Sequence, residues 1–341
     1  MSMLAGIGDA IDACAGELAF SGTVRVDVGD DVLTRAYGLA NRAASVPNTV
    51  DTRFGIASGT KGFTALAVVS LVADGTLALD TTARSLLGTD LPLIDDDVTV
   101  EHLLTHRSGI GDYIDEAAGG NINDYILTVP VHRLTGSEQY VAVLDGLPAR
   151  TPPGTEFRYN NSGFVLLALL AERALGVSFH DLVADRVCRP AGLSTTAFLR
   201  SDALPGDAAI GYLEPDGLRS NVLHLPVLGS GDGGIASTIA DIHALWAAAT
   251  TGRIVAPAWW AEMIRPHATV PAERLRYGLG FWLHEEDVSP RGDAIILEGY
   301  DAGVSFRTVH QPSRRTTYTV IANTSEGAWP VLRRLAELLD G

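Results

Sequence analysis

The chain is short of sulfur, of long apolar runs and of clustered positive charge, and each shortage excludes a class of protein. Only two cysteines occur among 341 residues, Cys14 and Cys188, far apart in the chain. Two such residues do not make a disulfide framework, and both read as small buried apolar groups. No uninterrupted apolar stretch approaches the ~20 residues that a membrane-spanning helix needs. Met1 to Phe20 carries no Lys or Arg before its apolar residues, and Asp9, Asp12 and Glu17 interrupt it. It does not read as a signal peptide, so the expected location is cytoplasmic. The formal charge is −16, from 25 Lys and Arg against 41 Asp and Glu, with the acids scattered rather than gathered in a tail. Binding a phosphate backbone needs clustered Lys and Arg, so neither nucleic acid nor a membrane is an expected partner.

What is present is a composition of the globular kind. Hydrophobic residues make up 46% and charged residues 19%, enough for a sizeable core in one large domain or two. Leu4, Ile7, Ile11, Cys14 and Leu18 share a helical face. From Gly22 the period changes to two, with Val24, Val26 and Val28 on one side. Gly29-Asp30-Asp31 supplies turn chemistry before a returning strand over 32–39. Between Asp80 and about Pro257 the pattern is mainly helical, with helices expected over 100–106, 137–147, 163–175 and 238–249. Period-two segments return at 277–284, 294–297, 304–310 and 316–323, before a final amphipathic helix over 329–339. Strands near both ends with helices between them predict an α+β fold with one antiparallel sheet built from both termini.

The stretch Phe54-Gly55-Ile56-Ala57-Ser58-Gly59-Thr60-Lys61 stands where a short apolar segment turns into a helix. Three residues of helix turn the chain by about 300°, so Ser58 and Lys61 lie on one face, one turn apart. A hydroxyl is a poor nucleophile until a neighbouring base takes its proton, and a desolvated lysine can be that base. The bland alternative is a serine that caps the helix beside a solvated lysine. A second stretch, Tyr159-Asn160-Asn161, directly precedes the apolar helix over 163–175. Two residues apart, a phenol and an amide can address the same site, and a phenol beside an ammonium can exchange a proton with it.

With those residues in view the chain resembles the family of class C β-lactamases, serine DD-peptidases and their esterase relatives (the family VIII type). Ser58-x-x-Lys61 is similar to that family's nucleophile motif and Tyr159-x-Asn161 to its Y-x-N motif. Supporting segments run Leu103 to Gly109, Pro153-Gly154, Gly233 to Thr238 and Tyr277 to Gly280. The resemblance implies a β-lactamase/transpeptidase-like architecture: 1–78 with 270–341 as a discontinuous sheet domain, 79–269 as an inserted helical domain, and the site in the cleft between them. It implies an acyl-enzyme on Ser58, with Lys61 and Tyr159 as a coupled base and Asn161 orienting Lys61 and substrate. The oxyanion donors it implies are the backbone N–H groups of Ser58 and Gly303, with no cofactor and no metal. Its third element, K-T-G or H-T-G, has its candidate at Gly299-Tyr300-Asp301-Ala302-Gly303, where Tyr300 replaces the Lys or His. Tyr300 and Asp301 would then line the substrate position. A carboxylate beside Asp301 repels an anion, so the expected substrate lacks an essential carboxylate there.

Several look-alikes compete. Gly229-Ser230-Gly231-Asp232-Gly233-Gly234 matches G-x-G-x-x-G, but the surrounding chain lacks the alternation of a parallel βαβ unit. His102 and His106 stand four apart as zinc ligands can, but Leu103 occupies the glutamate's place in H-E-x-x-H. No serine lies in G-x-S-x-G. Trp259-Trp260 reads as core or cleft wall. The reading is a cytoplasmic serine hydrolase acting on a small carboxylic ester. Its rivals are β-lactamase, D-amino-acid peptidase or amidase activity, acyl transfer, and a non-catalytic penicillin-binding-like sensor. A small-molecule ester or amide is the expected partner, and oligomeric state has no signal in the sequence.

Overall fold

The structure is a computed structural model that describes residues 3–114, 119–270, 273–284 and 292–340. Its frame is an eight-stranded antiparallel sheet: β1 (Gly22–Val28), β2 (Asp31–Tyr37), β3 (Ala268–Val270), β4 (Leu275–Tyr277), β5 (Trp282–His284), β6 (Ile295–Asp301), β7 (Val304–Gln311) and β8 (Thr316–Ala322). In space they run β2-β1-β8-β7-β6-β5-β4-β3, so β1 from the N-terminal part pairs with β8 from the C-terminal part, Val24 opposite Val320. The fold class is α+β, as expected. The expected strand over 277–284 is two strands instead. Gly278 and Gly280 bring the backbone so close to Met263 and Ala65 that a Cβ would meet them at 2.1 and 2.3 Å, and Gly280 adopts φ +84°. The chain therefore turns there rather than running straight.

Each face of the sheet carries a core. On one face α1 (Met3–Glu17) and α5 (Ala328–Asp340) pack Ile7, Ile11, Val331 and Leu335 against Val24, Val26 and Val320. On the other lie α2 (Thr60–Ala73), α3 (Asn161–Leu175) and α4 (Ile239–Thr250), with Phe63, Leu66, Phe164 and Trp246 meeting Leu297, Phe306 and Ile321. From Thr60 to Leu71 α2 is buried on every side, as a helix without a polar stripe must be. Trp260 joins this core against Trp246 and Phe281. The helix expected over 137–147 is shorter, a 3-10 turn Ser137–Tyr140 and one α turn Val141–Leu144. Among the described residues no single helix is long and apolar enough to cross a membrane. Asn161–Leu175 and Phe179–Ala191 pass that test only as a pair bent by 89°.

Candidate active site

The chain enters the site along the two-residue strand Phe54–Gly55, paired with Ile235–Ser237, and turns through Ala57–Gly59 into α2. Ala57 holds φ 44°, a left-handed conformation that costs a non-glycine residue about 1–3 kcal/mol. Ser58 follows at once and is partly exposed. It does not cap the helix: the cap falls on Gly59, without a side-chain bond. Its hydroxyl oxygen instead accepts from Lys61 Nζ at 2.8 Å. Lys61 is the chain's only lysine, and its side chain is buried. Its Nζ also donates to Asn161 Oδ1 at 2.8 Å and to the Asp232 carbonyl at 3.0 Å. With two N–H bonds held by those acceptors, the third direction of a tetrahedral nitrogen faces Ser58. An amine so placed can receive the serine proton without moving.

Tyr159 and Asn161 come in from the start of α3. Asn160 occupies the N-cap, its Oδ1 accepting from Gly163 N at 2.7 Å, so Asn161 is the first helical residue rather than part of a turn. The Tyr159 ring lies 4.9 Å from Lys61 Nζ and stacks on Trp282, centroids 5.9 Å apart and planes 12° from parallel. Behind it His106 is fully enclosed. Its Nδ1 accepts from Asn160 N at 3.0 Å, so Nε2 carries the proton and donates to the Tyr277 hydroxyl at 3.1 Å. Burial, reinforced by the Lys61 charge, holds the imidazole well below its usual pKa and therefore neutral. His106 thus props up the Tyr159–Asn161 segment. His102 closes a capping box with Thr99, and no metal-binding group of three or more His, Cys, Asp or Glu occurs among the described residues.

Two residues that sequence reasoning assigned only to other roles, or passed over, belong to this site. The glycine loop 229–234 crosses α3 so tightly that a Cβ on Gly231 would sit 2.1 Å from the Phe164 carbonyl. It leads into the antiparallel strand Ile235–Ser237, not a βαβ unit, and it carries the Asp232 carbonyl that takes Lys61. The Asp232 carboxylate accepts from the Tyr113 hydroxyl. Asp112 is the second. Its two oxygens accept from Asn161 N at 3.0 Å and Ser162 N at 2.9 Å. Burial pushes its carboxyl up to about 6, against the opposing pull of those amides and of Lys61. An aspartate directly after Gly109-Ile110-Gly111 is the local sign of it, but only the fold brings it to α3.

The β6–β7 hairpin forms the remaining wall and corrects the expected third element. Strand alternation points Leu297 and Gly299 toward α2 and turns Tyr300 outward, where its hydroxyl donates to Glu326 at 2.8 Å and its ring meets Trp329. The Tyr300 side chain is therefore not brought to Ser58. Gly299 is: a Cβ there would lie 2.0 Å from the Ile56 carbonyl oxygen and 3.0 Å from the Ser58 nitrogen. Nor is the Gly303 amide an oxyanion donor, because it is already bonded to Ser325 Oγ at 2.8 Å. Ala302-Gly303 make a two-residue turn closed by Asp301 and Val304. Alternation then makes Tyr300 and Ser305 a pair without mutual hydrogen bonds, and the Tyr300 N–H points away from β7. On that side, among the described residues, β5 pairs β6 only at Ile295 and Ile296. Asp301 reaches the cavity beside Ala57, which Phe54, Asp232 and Val304 also line.

The sequence pattern of the family described as Beta-lactamase matches residues 9–340. Esterase EstB of Burkholderia gladioli is 34% identical over 189 residues, 51% of this chain and 45% of the esterase. A D-aminopeptidase of Cereibacter sphaeroides is 28% identical over 314 residues, 88% of this chain and 56% of that protein. The chain spans about half the length of these two relatives. The crystal structure of a penicillin-binding protein from Bacillus halodurans superposes with a TM-score of 0.89 at 34% identity, over 96% of this chain and 100% of that one. The chain belongs to the β-lactamase family and is a serine hydrolase.

Proposed function

We propose that the chain is a carboxylesterase that forms an acyl-enzyme through Ser58. The observation that carries the choice of substrate is the cavity beside Ala57. Asp232 and Asp301 line it, no Lys or His is among its described lining residues, and its Arg53 is paired with Asp207. A substrate carboxylate 4 Å from either aspartate would meet repulsion on the order of 4 kcal/mol at an effective dielectric of about 20. A neutral ester meets none, and Phe54, Leu204, Pro226 and Val304 offer its chain apolar surface.

In this reading Ser58 Oγ attacks the ester carbonyl and its proton passes to Lys61, with Tyr159 sharing the load as a coupled base. The backbone N–H groups of Ser58 and Tyr300 hold the oxyanion, the second replacing the Gly303 amide. Asn161 holds Lys61 on line. Collapse of the tetrahedral species breaks the ester C–O bond, and the alcohol leaves with the proton that Lys61 and Tyr159 return to it. Water activated by the same base then releases the acyl group as a carboxylic acid and restores Ser58. The division into 1–78 with 270–341 and an inserted 79–269, with the site between, belongs to the same proposal.

A panel of p-nitrophenyl esters of increasing chain length, run beside a chromogenic cephalosporin, tests it. Ester turnover far above cephalosporin turnover is expected, and productive cephalosporin hydrolysis overturns the choice of ester. Labelling by a serine-reactive phosphonate, lost in Ser58→Ala, tests the nucleophile. A second reading is favoured by the same two carboxylates, which suit an ammonium group. The substrate would then be an amino-acyl amide, in keeping with the D-aminopeptidase relative, and amino-acid p-nitroanilides of both hands added to the panel would reveal it.

A further inference from the structure

We infer that Asp112 is a positioning residue for the Ser58–Lys61 pair, holding the lysine in line through the first turn of α3. The inference rests on the reading of Ser58 as nucleophile and Lys61 as base. The start of a helix leaves backbone N–H groups without intrahelical partners. In α3 three of them are taken by side chains: Asn161 N and Ser162 N by the two oxygens of Asp112, and Gly163 N by Asn160. A further bond, from Tyr113 N to Ser162 Oγ at 3.0 Å, ties the Asp112 loop to the same turn. The backbone of Asn161 is thereby fixed at both neighbours, and its Oδ1 is the acceptor that holds Lys61 Nζ. The path from Asp112 to Ser58 is a chain of three contacts: carboxylate to Asn161 N–H, Asn161 Oδ1 to Lys61, Lys61 to Ser58.

A helix start could be capped by a neutral serine or asparagine at less cost. This site uses a carboxylate, partly buried and set where Lys61 from α2, Tyr113 on its own loop and Tyr125 from the following segment face it. Its carboxyl titrates at about 6, with burial the largest cause. Protonation turns one acceptor oxygen into a donor and leaves one of the two α3 amides without its partner. Asn161, and with it the lysine, then loses a fixed position, and a displacement of about 1 Å at such a site lowers rate on the order of 10²-fold.

The test is the rate of Ser58 labelling by a fluorophosphonate, followed from pH 5 to 8 in the native chain and in Asp112→Asn. The native rate is expected to fall as pH drops through about 6. Asp112→Asn, which keeps the shape but loses one acceptor, is expected to label on the order of 10²-fold more slowly at pH 8 and to lack the pH 6 limb. Equal labelling of the two proteins, or a variant that keeps the limb, overturns the inference. If the variant does not fold, the native profile decides alone: a flat rate between pH 5 and 7 overturns it. Failure of the native protein to label at all refutes the nucleophile assignment instead, so the two readings fail separately.

Discussion

Replacing Gly299 with alanine adds one methyl group at a close approach between the sheet and the turn that carries Ser58. The added carbon would stand 2.0 Å from the Ile56 carbonyl oxygen and 3.0 Å from the Ser58 nitrogen. Non-bonded carbon contacts settle at about 3.5 Å, so one partner must retreat by roughly 1.5 Å. β6 is held along its length by β7, from Ile295 opposite His310 to Asp301 opposite Val304, so the turn Ala57–Gly59 is the part that gives. Gly299 is not among the positive-φ residues, so alanine meets no torsional penalty and the effect is purely one of space. Overpacking of this kind costs about 1–3 kcal/mol, a fall in Tm of several degrees. A shift beyond 1 Å at the nucleophile lowers kcat on the order of 10²-fold or more. The assay is kcat and KM on a p-nitrophenyl ester, with phosphonate labelling and a thermal melt on the same preparation. Gly6→Ala is the control: it lies exposed in α1 with nothing within 4 Å of its Cβ, so it should gain up to about 1 kcal/mol and keep full activity. A Gly299→Ala protein with native kcat would refute the placement of β6 against Ser58.

Lys61→Met should lower ester turnover by on the order of 10³-fold or more while the protein stays folded, and no other lysine exists to replace it; native-like rates would dismiss it as the base. His106→Phe leaves the enclosed Asn160 N–H without its acceptor, a loss of about 1–3 kcal/mol that urea unfolding should register, with kcat falling as Tyr159 and Asn161 loosen. Asp27 supplies a pH dependence of stability away from the site. Burial raises its pKa, but hydrogen bonds from His243 and Arg25, with Arg25's charge adding to them, outweigh this and hold it at about 2, below the ordinary 3.8. A depressed carboxyl stabilises the fold above about pH 4, and that contribution disappears as pH falls toward 2. Unfolding midpoints measured from pH 6 to 2 should therefore drop more steeply in the native chain than in Asp27→Asn.

The legible part of this molecule is the part written in short spacings. Ser58 and Lys61 are three apart, Tyr159 and Asn161 two apart, and one turn of helix or one strand step converts each spacing into a meeting of side chains. The alternating valines of β1 and the apolar length of α2 announce elements for the same reason. The glycines at 278 and 280 break a run whose period of two is otherwise sound, because their close approaches involve Met263 and Ala65, from outside the run. Asp112, His106 and Asp232 act on residues 49, 54 and 171 positions away. Nothing in their neighbourhoods encodes those distances.

The third element shows how such a reading fails by register. Gly299 and Gly303 both sit in the right stretch, and both are glycines the backbone needs. Gly303 takes φ +70° in the hairpin turn, while Gly299 is required for space against Ile56 and Ser58. Sequence pattern weighs the two alike, and choosing the turn glycine carries the oxyanion donor to an amide that Ser325 already occupies. Four positions separate the choices, the last two of them in the hairpin turn, so alternation of faces along the strand does not expose the error. What separates them is the hydrogen-bond direction in the plane of the sheet. The closing pair Asp301–Val304 sets the phase, and the phase turns the Tyr300 N–H toward the edge that β5 leaves open. The same alternation sends the Tyr300 side chain to Glu326. In the proposed mechanism one residue thus offers the site its backbone N–H while its phenol goes to the surface, a separation that a one-letter motif does not represent.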